Sequence, residues 1–286
     1  MKTNNIKISV VFSTRDVDES FITHIKKTCI HKGVEVLAYK NNGEYSLTEL
    51  YNKGLEEAES DIIVFCHDDI IFETKNWGEK IIKHFKKNEE YAILGVAGTN
   101  HMINGKWWEV RNAMHGTVKH TDGKKVWENK YSKSYGNQLK EMITLDGLLL
   151  AVNRPKLRTK FDENFKGFHF YDISFCYENH IKGCKLGLMS NIKLIHKSIG
   201  GTNKEWEDNK LLFESKYIDR LPTNLNKDTS HIIFNKDLPK IDLHVLCWNE
   251  EKIIPSFLKH YENWVSNIIV YDNKSNDNSV KLLNKH

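Results

Sequence analysis

The sequence has few cysteines, and none of them has the spacing of a metal or redox motif. There are five in 286 residues, and no two form a Cys-x-x-Cys pair. Cys66 and Cys247 lie inside apolar runs, where a thiol serves as a small buried side chain. An odd number of scattered cysteines argues against a disulfide framework and favours reduced thiols in a cytoplasmic protein.

Long hydrophobic runs are also missing. No apolar stretch approaches the roughly 20 residues that a membrane-spanning helix needs. No signal peptide precedes Ile6. We therefore expect a cytoplasmic protein. Any association with a membrane would be peripheral, at its inner face.

Arginine is scarce although the chain is mildly basic. The net charge of +4 comes mostly from lysines scattered singly along the sequence. Arginine is the residue best suited to reading base edges and phosphates in bidentate fashion. Its scarcity argues against a nucleic-acid partner, whereas an anionic small molecule or membrane surface agrees with the charge.

Strands and helices alternate from residue 6 onward. Apolar runs predict strands at 6–15, 34–39 and 61–66, and helical spacing predicts helices at 18–30 and 46–58. In the second helix, Ser46 is a candidate N-cap, with Glu49 three residues later in the capping-box position. This alternation predicts βαβ units, and hence an α/β fold with a Rossmann-like, mostly parallel central sheet covered by helices on both faces.

The pattern continues and later restarts. We predict a helix at 76–88, a strand at 91–98, a long polar and aromatic loop at 99–141, and a strand, turn and strand at 142–154. A helix at 170–184, a strand pair within 185–201 and a helix at 203–217 follow. The sequence therefore predicts a domain over residues 1–220, a linker over 221–240, and the truncated start of a second α/β domain over 241–286.

Polar residues follow several predicted strands or begin a helix beside them. Ligands of open parallel sheets bind at the carboxyl ends of the strands, so these side chains are expected at one rim. Carboxylates suit a hard divalent cation that bridges to a diphosphate, and a histidine ligand favours Mn²⁺ over Mg²⁺. The candidates are Thr14, His67, Asp68, Asp69, Asp146, His169, Asp172 and His196.

Each of these residues also has an ordinary structural explanation. Adjacent aspartates after a strand are common in turns, and Asp146 before a glycine is a turn former. Asp172 suits the positive end of a helix dipole. His196 taken alone is more often a core or surface histidine, and the tryptophans of the 99–141 loop can simply pack it.

The order of four segments is more specific than any single residue. They read YNKGLEEAESDIIVFCHDDI, LGVAGT, TLDGLLLAVNR and FHFYDISFCYENHIKGCKLGLMSNIKLIHKSIGG. Over residues 6–217 the chain resembles the family 2 glycosyltransferases of the GT-A fold, especially a bacterial branch whose metal motif reads His-x-Asp. The resemblance implies a metal-dependent, inverting transfer of a hexosyl or N-acetylhexosaminyl group, with Mn²⁺ or Mg²⁺ as cofactor. The donor would be a nucleotide diphosphate sugar, most often a UDP-sugar, and the acceptor a glycan or lipid-linked hydroxyl in bacterial surface polysaccharide synthesis.

The resemblance also implies residue roles. Asp69 and His196 would bind the metal, and Asp172 would be the general base. The residue before it is Tyr171, where the family has Glu, and His67 stands where many relatives have a ribose-binding Asp. Donor-side residues would be Thr14, Asn52, Asp68 and Asp146, and acceptor-side residues Trp107, Trp108 and His169.

Residues 241–286 resemble the opening of another family 2 domain, through CWNEE and VYDNKSND. No metal motif or base follows, so this copy as given is not expected to be catalytic. One alternative for the whole chain is a decayed module that only binds a glycan or assembles with a partner. A nucleotidyltransferase is disfavoured, because FSTRDVDES has no glycine for the phosphate loop that such an enzyme needs.

Overall fold

The computed structural model describes residues 7–29, 32–198, 200–225, 241–262 and 265–285. The chain divides into two compact units, Met1–Lys227 and Asp228–His286. This division falls within the predicted linker 221–240, of which residues 226–240 lie outside the described residues. The role of each predicted domain stays a prediction.

The first part of the larger unit alternates strands and helices, as the sequence predicts. Its elements are β1 (Ile8–Thr14), α1 (Glu19–Thr28), β2 (Val34–Lys40), α2 (Leu47–Glu57), β3 (Ile62–Cys66), β4 (Ile70–Phe72), α3 (Trp77–Lys87), β5 (Tyr91–Gly95) and β6 (Ala97–Thr99).

The second part of this unit is richer in short strands. Its elements are β7 (His101–Met102), β8 (Met114–Thr121), β9 (Val126–Lys130), β10 (Leu139–Met142), β11 (Thr144–Leu145), β12 (Leu149–Asn153), α4 (Tyr171–Ile181), β13 (Lys185–Met189), β14 (Leu194–His196), α5 (Lys204–Lys216) and β15 (Thr223–Asn224).

The main sheet has seven strands in the order β10-β13-β5-β12-β3-β1-β2. Five of them run in one direction, and only β10 and β12 run against it. Helices α1 and α3 pack on one face and α2 on the other, so adjacent β1 residues Val10 and Val11 belong to different core clusters. Burial on both faces explains why the strands read as continuous apolar runs. The predicted α/β class and mostly parallel sheet are confirmed.

Helix α2 illustrates how local sequence agrees with packing. The Ser46 side chain accepts the Glu49 backbone N–H, and the Glu49 carboxylate accepts the Ser46 backbone N–H, so the predicted capping box is confirmed. Gly54 lies inside the same helix, where a Cβ would be 2.6 Å from Cγ1 of Val11. The glycine therefore allows the helix to approach the sheet closely, although glycine is a poor helix former.

The prediction of a loop over 99–141 is wrong. The segment contributes β7 to β10, and a second sheet runs in the order β11-β6-β8-β14-β4, with β9 paired to β8. Buried and partly exposed residues alternate along β8. The half-exposed positions of β8 include Thr117 and Lys119, and its buried positions include His120, so apolar content alone missed the strand.

Two further strand predictions need correction. The predicted strand 91–98 is interrupted at Val96, and its halves β5 and β6 belong to different sheets. The predicted strand pair within 185–201 consists of β13 and β14, which also lie in different sheets. Both corrections have the same cause: the chain passes between two sheets, which periodicity along one strand does not reveal.

The second unit is a small βαβ arrangement, as the restarted sequence pattern predicts. Strands β16 (Asp242–Cys247) and β17 (Asn267–Asp272) pair in parallel, and α6 (Ile254–Tyr261) and α7 (Ser279–Leu283) complete the unit. Cys247, Ile254 and Leu258 form its small core. Its relation to the opening of a second GT-A domain stays a prediction.

Candidate active site

A cleft with a volume of about 1050 Å³ opens at the carboxyl ends of β1 and β3. Its position is the one expected for ligands of an open α/β sheet. Nine of the predicted site residues line it: Thr14, His67, Asp68, Trp107, Trp108, Asp146, His169, Asp172 and His196. Two elements of the second sheet, β8 and β14, supply the opposite wall with His120 and His196.

Three side chains beside the cleft form a compact cluster. Ligand atoms of His67, Asp69 and His196 all lie within 4.8 Å of one another. His196 Nε2 is 3.2 Å from Asp69 Oδ1 and 3.3 Å from His67 Nδ1, and His67 Nδ1 is 3.7 Å from Asp69 Oδ1. Pairing of His196 with Ile70 in the β14–β4 ladder brings the distant histidine to the end of β3.

The charges of this cluster favour an ionised carboxylate. Burial acts to raise the pKa of Asp69, but the close approach of His196 and His67 to its carboxylate outweighs it, so its pKa lies well below the usual range. For His67, burial acts to lower the pKa, but Asp69 and the other nearby carboxylates outweigh it, so its pKa is raised. Asp69 is therefore an anion at neutral pH.

The same cluster fits a divalent cation. Asp69 Oδ1 is buried, and among the described residues no group donates a hydrogen bond to it. A buried anionic oxygen without such a partner is costly, and a bound cation would satisfy it. One carboxylate with two imidazoles is a donor set that suits Mn²⁺ better than Mg²⁺. His67 joins the two metal ligands that the sequence predicted, Asp69 and His196.

Asp172 lies at the start of α4, on the same cleft. The backbone N–H of Gly147 donates to its Oδ2 at 2.7 Å. Burial, reinforced by the charge of Asp146, raises the pKa of Asp172 to about 6. A carboxylate with this pKa is ionised at neutral pH and is a stronger base than an exposed aspartate, which suits a general base.

Tyr171 connects the two parts of the site. It is buried, and its hydroxyl is 2.9 Å from Nε2 of His67, whose Nδ1 faces Asp69. Tyr171 therefore couples the histidine of the cluster to the helix that carries Asp172. The sequence offered only one signal for this role, namely the departure from the family pattern at Tyr171 itself.

Gly147→Ala is expected to damage the site although it adds only one methyl group. A Cβ at Gly147 would overlap the Tyr171 hydroxyl and lie 2.9 Å from Cβ of Asp172. The variant must shift the start of α4, so we expect kcat to fall by about 10²-fold, the scale of a misplaced catalytic group. Steady-state kinetics and the melting temperature check this prediction; a folded variant with wild-type kcat would contradict it.

Aromatic side chains form another wall of the cleft. Trp108 is 37% exposed and lies 5.7 Å from Trp206 between ring centroids, and Phe168 nearby is 44% exposed. Trp107 is only 6% exposed and packs edge-on against Trp108 and Tyr131. Of the two predicted tryptophans, Trp108 thus offers an accessible ring, whereas Trp107 mainly supports it. Sequence reasoning missed Phe168 and Trp206.

The remaining predicted donor residues differ in their placement. Thr14 is buried at the cleft, and its hydroxyl donates to the Asp16 carbonyl oxygen at 2.8 Å. Asp68 is exposed at the rim. Asn52 is not among the residues that line the cleft. Its side-chain amide instead exchanges hydrogen bonds with the backbone of Phe161 and donates to Glu163, so its donor contact stays a prediction that this geometry does not favour.

The chain thus combines a mostly parallel α/β sheet with a His/Asp cluster and a carboxylate base candidate at one cleft. The chain belongs to a glycosyltransferase-like family, whose model matches residues 10–217. The glycosyltransferase family expected from the sequence is therefore confirmed.

A solved structure supports the GT-A fold expected from the sequence. GalNAc-T7, in a structure that contains UDP, GalNAc and Mn²⁺, is 12% identical with a TM-score of 0.51; the match covers 77% of this chain and 49% of that one. The chain thus spans about half the length of GalNAc-T7. TarS from S. aureus is also 12% identical, with a TM-score of 0.48 and coverage of 78% and 68%. Among curated proteins, none matches this sequence.

Two other expectations concern the protein's surroundings. All five cysteines are free and buried, in line with the expected reduced thiols. Within the part of the chain that the structure describes, no helix has the length and apolar character needed to cross a bilayer.

Proposed function

We propose that this protein is a metal-dependent, inverting glycosyltransferase that uses a nucleotide diphosphate sugar as donor. The observation that carries the proposal is the placement of a cation-suited cluster, His67, Asp69 and His196, and a base candidate, Asp172, around one cleft. A cation bound at the cluster suits a departing diphosphate. A base at Asp172 suits the proton of an attacking hydroxyl. A sugar between them would be attacked on the face opposite its leaving group.

The protein groups then have separate tasks. Asp172 accepts the proton of the acceptor hydroxyl as it attacks the anomeric carbon, and the Gly147 N–H holds the carboxylate in place. Asp69, His67 and His196 would hold the cation, and the hydroxyl of Tyr171 would orient His67. A divalent cation at this cluster would neutralise the charge that develops on the diphosphate.

The substrates are proposed at the level of chemical class. A UDP-sugar with a hexosyl or N-acetylhexosaminyl group is the proposed donor, and a glycan or lipid-linked hydroxyl the proposed acceptor. The exposed rings of Trp108 and Phe168 support a carbohydrate acceptor, since flat apolar rings suit the C–H faces of sugars. We place the reaction in bacterial surface polysaccharide synthesis, with Mn²⁺ as the preferred ion.

Thermal-shift and transfer assays test this function together. A panel of UDP-, GDP- and CMP-sugars is expected to raise the melting temperature only when Mn²⁺ is present, because a ligand that binds only the folded state stabilises it. The best donor should then be hydrolysed or transferred. Metal-dependent binding without any turnover on an acceptor panel would instead support the decayed binding module.

Inversion is checked on the product. With the attacking hydroxyl and the diphosphate on opposite faces of the sugar, an α-linked donor is expected to yield a β-linked product. The anomeric proton coupling in an NMR spectrum of the isolated product reports this directly. An α-linked product would overturn the assignment of Asp172 as a base that acts from the opposite face.

The activity is also expected to depend on pH. Because the raised pKa of Asp172 lies at about 6, the carboxylate is protonated below that pH and ionised above it. A general base acts in its ionised form, so kcat/KM should fall about tenfold per pH unit below 6 and level off above it. A pH–rate profile with Mn²⁺ held saturating measures the acidic limb; a flat profile down to pH 5 would contradict the prediction.

A further inference from the structure

Ser198 presents a fourth polar group to the His/Asp cluster. It lies two residues after His196, and its Oγ is 3.0 Å from His196 Nε2. The same nitrogen faces Asp69 Oδ1 at 3.2 Å and His67 Nδ1 at 3.3 Å. Polar atoms of Ser198, Asp69 and His67, from the segments that follow β3 and β14, therefore all lie within 3.3 Å of His196 Nε2.

Their spacing is that of neighbouring ligands around a small divalent cation. Octahedral coordination at about 2.0–2.1 Å places adjacent ligand atoms about 3 Å apart. The three separations measured from His196 Nε2 are 3.0, 3.2 and 3.3 Å. A serine hydroxyl is a hard oxygen ligand, and hydroxyls of this kind bind Mg²⁺ in the phosphate loops of nucleotide-binding proteins.

Ser198 is held in this position although the residue is exposed. Nδ1 of His120 lies 3.0 Å from the Ser198 carbonyl oxygen, so this nitrogen carries the proton and donates it. His120 is itself buried, stacks on Trp127 at 5.9 Å between ring centroids, and lies opposite His196 in the parallel β8–β14 ladder. Two neighbouring strands thus fix the backbone that carries the hydroxyl.

We propose that Ser198 Oγ is a further protein ligand of the metal and that His120 is its positioning residue. With His67, Asp69 and His196, it leaves about two octahedral positions for diphosphate oxygens. The assignment rests on the metal site of the proposed function. The competing role for Ser198 is a hydrogen bond to His196 that serves only to orient the imidazole.

Direct metal titration first tests whether Ser198 contributes to metal binding by either role. Mn²⁺ affinity is measured on the full chain without nucleotide, by calorimetry and by the EPR signal of free Mn²⁺. We expect Ser198→Ala to weaken binding about tenfold, the scale on which residues at a metal site contribute. Ser198→Thr keeps the hydroxyl and is the matched control, with affinity within about threefold of wild type. Unchanged Mn²⁺ affinity in Ser198→Ala would overturn the ligand assignment.

A sulfur ligand provides a readout that an orienting hydrogen bond would not change. Thiolates favour soft ions, so Ser198→Cys is expected to lose Mn²⁺ affinity and gain Cd²⁺ affinity relative to wild type. A Mn²⁺/Cd²⁺ preference equal to that of Ser198→Ala would overturn coordination at this position. If the wild-type protein binds neither Mn²⁺ nor Cd²⁺, the metal site of the proposed function is itself wrong. That result is distinct from a failure of the Ser198 assignment alone.

The positioning role of His120 is tested by a double-variant cycle. His120→Phe keeps an aromatic ring against Trp127 but removes the donor to Ser198. If His120 acts through Ser198, its replacement weakens Mn²⁺ binding in the wild-type background and has no further effect in Ser198→Ala. Additive losses would contradict the positioning role, and melting temperatures of all variants exclude unfolding as the cause.

Discussion

Asp172→Asn is expected to abolish sugar transfer while leaving donor binding nearly unchanged. The amide keeps the shape of the carboxylate and can still accept the Gly147 N–H. It cannot take a proton from the acceptor hydroxyl, so kcat should fall by about 10²–10⁴-fold, the contribution of a positioned general base. Steady-state transfer assays give kcat, and calorimetry with the nucleotide sugar and Mn²⁺ gives donor affinity.

The comparison needs a variant with the same chemical change at a residue that does not line the cleft. Asp122 lies in the turn between β8 and β9, where its carboxylate accepts the backbone N–H groups of Lys124 and Lys125, and an asparagine can do the same. Asp122→Asn should therefore retain wild-type kcat. If Asp172→Asn also turns over at near the wild-type rate, another group removes the proton and the base assignment is wrong.

Asp69→Asn is expected to remove metal-dependent nucleotide binding. The carboxylate is the only anion of the His67–Asp69–His196 cluster, and its lowered pKa reflects the favourable contacts of the ionised form with both histidines. A neutral amide loses most of the attraction for a divalent cation. Mn²⁺ affinity should fall by about 100-fold or more, because even groups that only support metal ligands contribute about 10–100-fold.

Asp68→Asn is the matched comparison, since it makes the same change one residue earlier. Asp68 is exposed at the rim and does not belong to the cluster. Its variant should keep the Mn²⁺ affinity of the wild type when nucleotide is absent. Calorimetric titration of both variants with Mn²⁺ decides between the two aspartates; equal losses would show that the ion is held by Asp68 as well.

The parts of the fold that were predictable depend on local interactions. The βαβ order and the capping box of α2 follow from apolar periodicity and from contacts between residues near in sequence. Placement of Asp68 at the cleft, with Asp69 beside it, followed from the rule that parallel strands present their carboxyl ends to ligands. These features needed no knowledge of which distant strands would pair.

The parts that were missed depend on contacts between distant residues. The second sheet escaped detection because β8 is buried on alternate positions and pairs with β6, β9 and β14. Asn52 looked like a ligand residue, yet its amide is used by Phe161 and Glu163, which follow more than a hundred residues later. No pattern near Asn52 announces those partners.

The sequence by itself determined the α/β class, the family resemblance and the residue types for the chemistry, since these follow from local periodicity and motif order. Only the tertiary structure decided which of those residues act together. The β14–β4 pairing brings His196 beside Asp69, and the contact between Tyr171 and His67 joins that cluster to the helix of Asp172. The reason is that a site assembled from separate strands depends on their register, which is settled by packing across the whole sheet.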